Sequence, residues 1–211
     1  MMKLGVMEKQ VIPAVLKKTI DVKRRKESSI LRDIGLLPLR IIVGGLLAAH
    51  GAQKLFGWFN GPGLKGTAGF LESLGLKPGK LWAIGASAGE FGGGMLTALG
   101  FLHPLGPFGK IGAMTMATAK VHWGKPIWAG QGGAELPLTN IAAALTLLIA
   151  GPGRFSLDRL FGIRLPRTLV IAVALTEAVL LAIGIMSRPA PPQAQQVENQ
   201  TPTTAAASPG S

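Results

Sequence analysis

Five stretches of the chain run apolar for most of their length, approximately 36–56, 81–101, 111–128, 136–150 and 169–186. A helix needs roughly 17 to 25 residues to cross about 30 Å of hydrocarbon, and these stretches suit that length if small and weakly polar residues are allowed inside them. The fourth is short, and its upstream glycines complete it. The runs are continuous and rich in Leu, Ala and Gly, without the alternating pattern of an outer-membrane barrel, so the expected elements are helices.

The intervening segments read differently. Residues 1–34 form a basic, mildly amphipathic leader expected on the cytoplasmic leaflet or partly disordered, and better suited to a signal anchor than to a cleaved signal peptide. The stretch NGPGLKG is a turn, and TAGFLESLGL has the helical spacing of a short interfacial helix. GPGRFSLDRLFGIRLPR returns the chain along the inner surface, and residues 188–211, rich in Pro, Ala, Gln and Thr, form a tail expected to be disordered. The organisation is thus a leader (1–34), a bundle (35–160), an additional transmembrane helix (161–187) and a tail (188–211).

Composition sharpens this. The 211 residues are 48% hydrophobic and only 15% charged, with mean hydropathy +0.39, where a soluble domain carries about 25% charged residues. No cysteine is present, which excludes dithiol redox chemistry, thioether haem attachment, iron–sulfur clusters and thiolate zinc sites. The net charge of +12 suits anionic lipid headgroups rather than nucleic acid, because of where the charges fall. With the N-terminus inside, fourteen Lys and Arg of the connecting segments lie on the inner side and seven on the outer, as the positive-inside rule requires. Trp58, Trp82, Trp123 and Trp128 then all fall at the outer interface, where tryptophan is favoured.

The chemistry candidates are polar residues inside apolar stretches. Ionisable groups in hydrocarbon cost roughly 2.5 to 3.5 kcal/mol each, so they face a bundle interior or a wet cavity. His50, Gln53 and Lys54 are spaced i, i+3, i+4 on one helical side; Glu90 interrupts the second stretch; Lys120 and His122 lie in the third; Glu135 and Asn140 begin the fourth. At about 1.5 Å per residue these all belong to the outer half of the bundle. A shared cavity is expected there, in which Glu90 neutralises Lys54 or Lys120. Three readings remain open: interhelical glue, a site for a quinone or small anion, and a b-type haem between His50 and His122. Glu177, alone in the fifth stretch, binds a partner subunit, sits protonated, or pairs with Lys120. His103 receives no role. Glycines such as Gly44, Gly89, Gly93 and Gly94 are read as helix packing.

The stretches HGAQKLFGWFNGPGLKGTAGFLESLG, EFGGGMLTALGFLHPLG, VHWGKPIWAGQGGAELPL and GPGRFSLD, in that order over about residues 36–160, resemble the DoxX family of small bacterial inner-membrane proteins. The resemblance implies a four-helix membrane bundle and an association with redox metabolism, since the related DoxD protein is a subunit of thiosulfate:quinone oxidoreductase. It carries over onto His50, Gln53, Lys54, Phe56, Glu90, His122, Trp123, Glu135 and Pro137. The sequence departs from the family at GKPIWAGQGG, where relatives have an Asn-Gly type turn, and in the added fifth apolar stretch.

The expectation is therefore an all-α integral membrane protein, a four-helix transmembrane bundle plus a fifth transmembrane helix, in the bacterial inner membrane with a cytoplasmic N-terminus. It is expected to act as a membrane subunit of a quinone-linked oxidoreductase complex, with a protein partner, possible self-association and no nucleic acid. Glu90, His122, His50 and Lys54 are the candidate catalytic residues; Gln53, Lys120 and Glu135 join them as candidate quinone-binding residues. The alternative is a non-enzymatic scaffold or small-molecule carrier.

Overall fold

The apolar stretches form α-helices in the computed structural model, which describes residues 14–189; no strand occurs among them. The helices are α1 (Ala14–Phe56), α2 (Gly63–Ser73), α3 (Gly79–Leu99), α4 (Leu105–Ala117), α5 (Glu135–Ala150), α6 (Leu157–Phe161) and α7 (Arg167–Met186). A π-helical turn, Thr118–His122, continues α4. The short helix expected in TAGFLESLGL is α2. The leader is not a separate element from residue 14 onward: α1 runs without interruption for 43 residues into the first apolar stretch. Residues 1–13, with the rest of the leader, and 190–211, with nearly all of the tail, lie outside the described residues.

Glycine sets how closely the helices approach. α3 runs antiparallel to α1, with Gly44 against Gly94 and Ala98. A side chain at Gly44 or Gly94 would strike the opposing backbone, so contact at this range requires glycine on both helices. α4 runs antiparallel to α3, with Gly106 against Gly93 and Thr97. α5 touches both α4 and α1, which closes α1, α3, α4 and α5 into a ring of four. α7 adds to the outside of α4 and runs parallel to it: Glu177 meets Gly112, Gly184 meets Met116, and Lys120 Nζ donates to the Ser187 carbonyl.

This order gives the molecule two distinct ends. Trp58, Trp82, Trp123 and Trp128 collect at one, where α1, α4 and α7 finish and α3 and α5 begin. Arg154, Arg159, Arg164 and Arg167 lie at the other. Between them the core is small-residued, with Leu47, Ala52, Ala83, Ala144 and Leu147 almost wholly buried, while large apolar side chains such as Ile42, Leu46, Ile149, Leu175 and Ile183 point outward. Soluble monomers rarely expose apolar surface on this scale.

Among the described residues one helix, α7, is long and apolar enough to cross a membrane on length and composition, and it is scarcely buried; α5 is a shorter apolar helix. The other expected spans are less clear-cut for a physical reason. Arg40, His50, Gln53 and Lys54 dilute α1, glycines and Glu90 dilute α3, and α4 has 13 residues before its π turn.

Two buried cations were not placed by the sequence. Arg40, 4% exposed, donates to the Ala98 carbonyl at 3.1 Å and to the carbonyls of Pro152 and Phe155. Ala98 lies in the last turn of α3, whose carbonyls lack partners within the helix, so one guanidinium joins α1, the end of α3 and the segment before α6. Lys110, expected in a connecting loop, instead lies buried in α4 and donates to the Val43 carbonyl at 2.9 Å.

Candidate functional site

Near the tryptophan end, Lys54 in the last turn of α1 reaches across to Glu90 on α3. Their Nζ and Oε1 atoms are 2.5 Å apart. Glu90 is buried, and among the described residues its second oxygen, Oε2, has no hydrogen-bond partner; nor has the Ser87 hydroxyl one turn earlier. Water cannot easily compensate a buried carboxylate, so its charge is met by Lys54 in direct contact and, at longer range, by Lys110. Thr67 of α2 holds the same corner from above, its hydroxyl 3.2 Å from the Lys54 carbonyl oxygen and 2.8 Å from that of Gly63.

Beside this pair lies a cavity of about 470 Å³ between α2, α3, α4 and α7. Phe70, Leu71, Trp82, Met116 and Leu180 give it apolar walls, and Lys54, Glu90, Lys120 and Glu177 are its ionisable residues. Lys120 belongs to the π turn, a feature that recurs at functional sites, and its Nζ bonds the Ser187 carbonyl at the end of α7. Glu177 rests against the backbone of Gly112. It therefore points inward at α4 and makes no ion pair with Lys120; the outward orientation needed to bind a partner subunit is not what the structure shows.

The structure does not gather all seven candidate residues into one pocket. Lys54, Glu90 and Lys120 line the cavity; His50, Gln53, His122 and Glu135 do not. His50 is exposed, with Nδ1 3.2 Å from Gln53 Oε1. Four residues advance a helix by about 40° beyond a full turn, which carries Lys54 to the edge of the α3 contact while His50 falls short of it. His122 Nδ1 lies 2.7 Å from the Gly132 carbonyl oxygen, and Glu135 Oε2 accepts the Ala129 N–H at 2.8 Å. Both thus fix the loop between α4 and α5 rather than reach the cavity. Asn140 turns back onto its own helix, donating to the Leu136 carbonyl at 2.9 Å. Among the described residues no group of three His, Asp or Glu side chains is placed to hold a metal ion.

Residues 35–123 match the DoxX family model. That stretch, less than half of the chain, comprises α1 from Gly35, α2, α3, α4 and the π turn. The DoxX family is membrane-associated, in keeping with the outward apolar side chains. Lys54, Glu90 and Lys120 fall inside the matched stretch; Glu135 and Glu177 fall outside it, as do GKPIWAGQGGAELPL and GPGRFSLD, to which the resemblance seen in the sequence extends. One wall of the cavity is therefore supplied by a helix beyond the matched stretch. No curated protein and no solved structure matches the chain.

Proposed function

We propose that the protein is a membrane subunit of a quinone-linked redox complex in the bacterial inner membrane, and that the cavity beside Glu90 receives the quinone head. In this reading α1, α3, α4 and α5 span the bilayer as a bundle with α7 as a fifth helix, the arginine end is cytoplasmic, and a partner oxidoreductase subunit supplies electrons. The observation that carries it is a mostly apolar cavity containing a buried carboxylate with one oxygen unpartnered.

The residues fit such a ligand. Ligand pockets span about 300–1,000 Å³ and combine apolar walls with a few convergent polar groups, and this cavity lies within that range. A quinone supplies two-electron, two-proton chemistry at its carbonyl oxygens. Phe70, Trp82 and Leu180 would sandwich a flat ring; Lys54 and Lys120 would donate to its oxygens; Glu90 and Glu177 would hold and deliver protons there.

A second reading, interhelical glue in a non-enzymatic scaffold, is favoured by the Lys54–Glu90 pair itself, which joins α1 directly to α3. One experiment separates the two. Protein purified from its native membranes is extracted with organic solvent, and the extract is chromatographed for quinone, alongside Glu90→Gln. Quinone with the parent protein and its loss from a folded Glu90→Gln variant supports the redox site. Absence of quinone from both, with a destabilised variant, supports glue.

A further inference from the structure

A second cavity lies at the opposite, arginine-rich end, where the segment after α5 folds back beside α1. Its volume is about 790 Å³. Four arginines, Arg32, Arg154, Arg159 and Arg164, line it together with two carboxylates, Asp33 and Asp158.

Both carboxylates are buried and already engaged. Asp33 Oδ1 lies 2.8 Å from Arg32, and its Oδ2 lies 3.4 Å from Arg154. The two oxygens of Asp158 accept the backbone N–H groups of Leu102 and His103, each at 2.8 Å. The guanidinium groups of Arg159 and Arg164, by contrast, have no hydrogen-bond or ion-pair partner among the described residues. The lining thus carries two more positive charges than negative ones, in the form of open planar forks.

Guanidinium forks match the oxygens of a phosphate bidentately, and basic pockets between helices at a membrane face suit phosphate headgroups. The surroundings add a second, apolar component: Phe155, Leu160 and Phe161, on α6 and its lead-in, are exposed next to Arg154 and Arg159. A free anion in water has no use for such neighbours, whereas a lipid brings acyl chains to cover them.

We propose that this cavity binds a phosphate group carried by an anionic lipid headgroup. Arg159 and Arg164 clasp the phosphate, Arg32 and Arg154, held in place by Asp33, complete the positive wall, and Phe155, Leu160 and Phe161 lie against the chains. The site is separate from the cavity at Glu90 and does not depend on its function.

The test uses the full chain in nanodiscs of phosphatidylcholine doped with phosphatidylglycerol, with native mass spectrometry counting the lipids retained on the released protein. Retained phosphatidylglycerol is expected on the parent protein. It should fall at least ten-fold in Arg159→Gln/Arg164→Gln and stay unchanged in Arg167→Gln, which lies at the same end outside the cavity. Melting curves check that the double variant is folded, as expected for two exposed side chains without bonds. A second arm adds inorganic phosphate to protein in pure phosphatidylcholine discs and follows its melting temperature. A response there without lipid retention supports the phosphate site but makes its carrier soluble. The proposal is overturned by equal retention in the double variant, by an equal loss in Arg167→Gln, or by no response to either probe.

Discussion

The carboxylate of Glu177 lies where a methyl group on Gly112 would have to go. This contact lies between α4 and α7 along the cavity. Gly112→Ala should overpack it at a cost of about 1 kcal/mol, the low end for overpacking, because the displaced atoms are the far end of a flexible side chain. Glu177→Ala in the same background should recover part of that loss, because the two residues share one space. Thermal unfolding of the four proteins in detergent would measure the coupling; simple additivity would mean that the contact is absent.

The Lys54–Glu90 pair should respond unequally to loss of either partner. The Lys54 side chain is 36% exposed and that of Glu90 only 6%. Lys54→Met leaves a buried carboxylate without its countercharge, a defect that costs up to about 3–5 kcal/mol. Glu90→Gln leaves an ammonium that can turn to water, with a cost of about 1.5–3 kcal/mol for one lost charge-assisted hydrogen bond. Chemical denaturation should therefore show Lys54→Met as the weaker protein, with Lys54→Met/Glu90→Gln more stable than Lys54→Met alone.

Arg40 holds three carbonyls from two separate parts of the chain. Replacing it by Ala leaves those acceptors unpaired and should cost about 3 kcal/mol or more, as hydrogen bonds from a charged donor contribute roughly 1.5–3 kcal/mol each. Arg40→Lys should rescue little, since one ammonium cannot reproduce the planar geometry. Arg154→Ala, at a half-exposed ion pair, should have a smaller effect on the melting temperature.

His103 makes acid a specific stress on the arginine end. Burial holds its imidazole below the ordinary histidine range, opposed by a hydrogen bond to the Leu148 backbone and by the charge of Asp158. The folded state thus binds this proton less readily than the unfolded chain. The stabilisation is complete above the unfolded value of about 6.5 and is lost as pH falls from there through the lower folded value. Melting temperatures of the parent protein should drop over that acid window more steeply than those of His103→Gln.

Much of the architecture was legible because hydrophobic runs and their interruptions are local signals. The apolar stretches beginning at Leu36, Leu81, Ile111, Leu136 and Leu169 correspond to α1, α3, α4, α5 and α7, and TAGFLESLGL corresponds to α2. The partnership of Lys54 with Glu90 could also be anticipated from depth and charge. His50 could not be placed the same way, because a 40° rotation about α1 decides between cavity and exposed flank, and only the packing of Gly44 and Gly51 on α3 sets that rotation. Arg40 and Lys110 were missed for a related reason. Their partners are backbone carbonyls brought close by folding, and a carbonyl leaves no mark in the amino-acid alphabet.

The parallel course of α4 and α7 has a consequence for assembly. During synthesis Lys54, Glu90 and Lys120 emerge well before Glu177, because α7 is the last of the described helices. The pocket is thus born as an open groove and acquires its last side late. A chain stopped just before Arg167 should keep the Lys54–Glu90 bridge and leave the cavity open on its α7 side, so the last wall comes from a segment outside the residues that match DoxX.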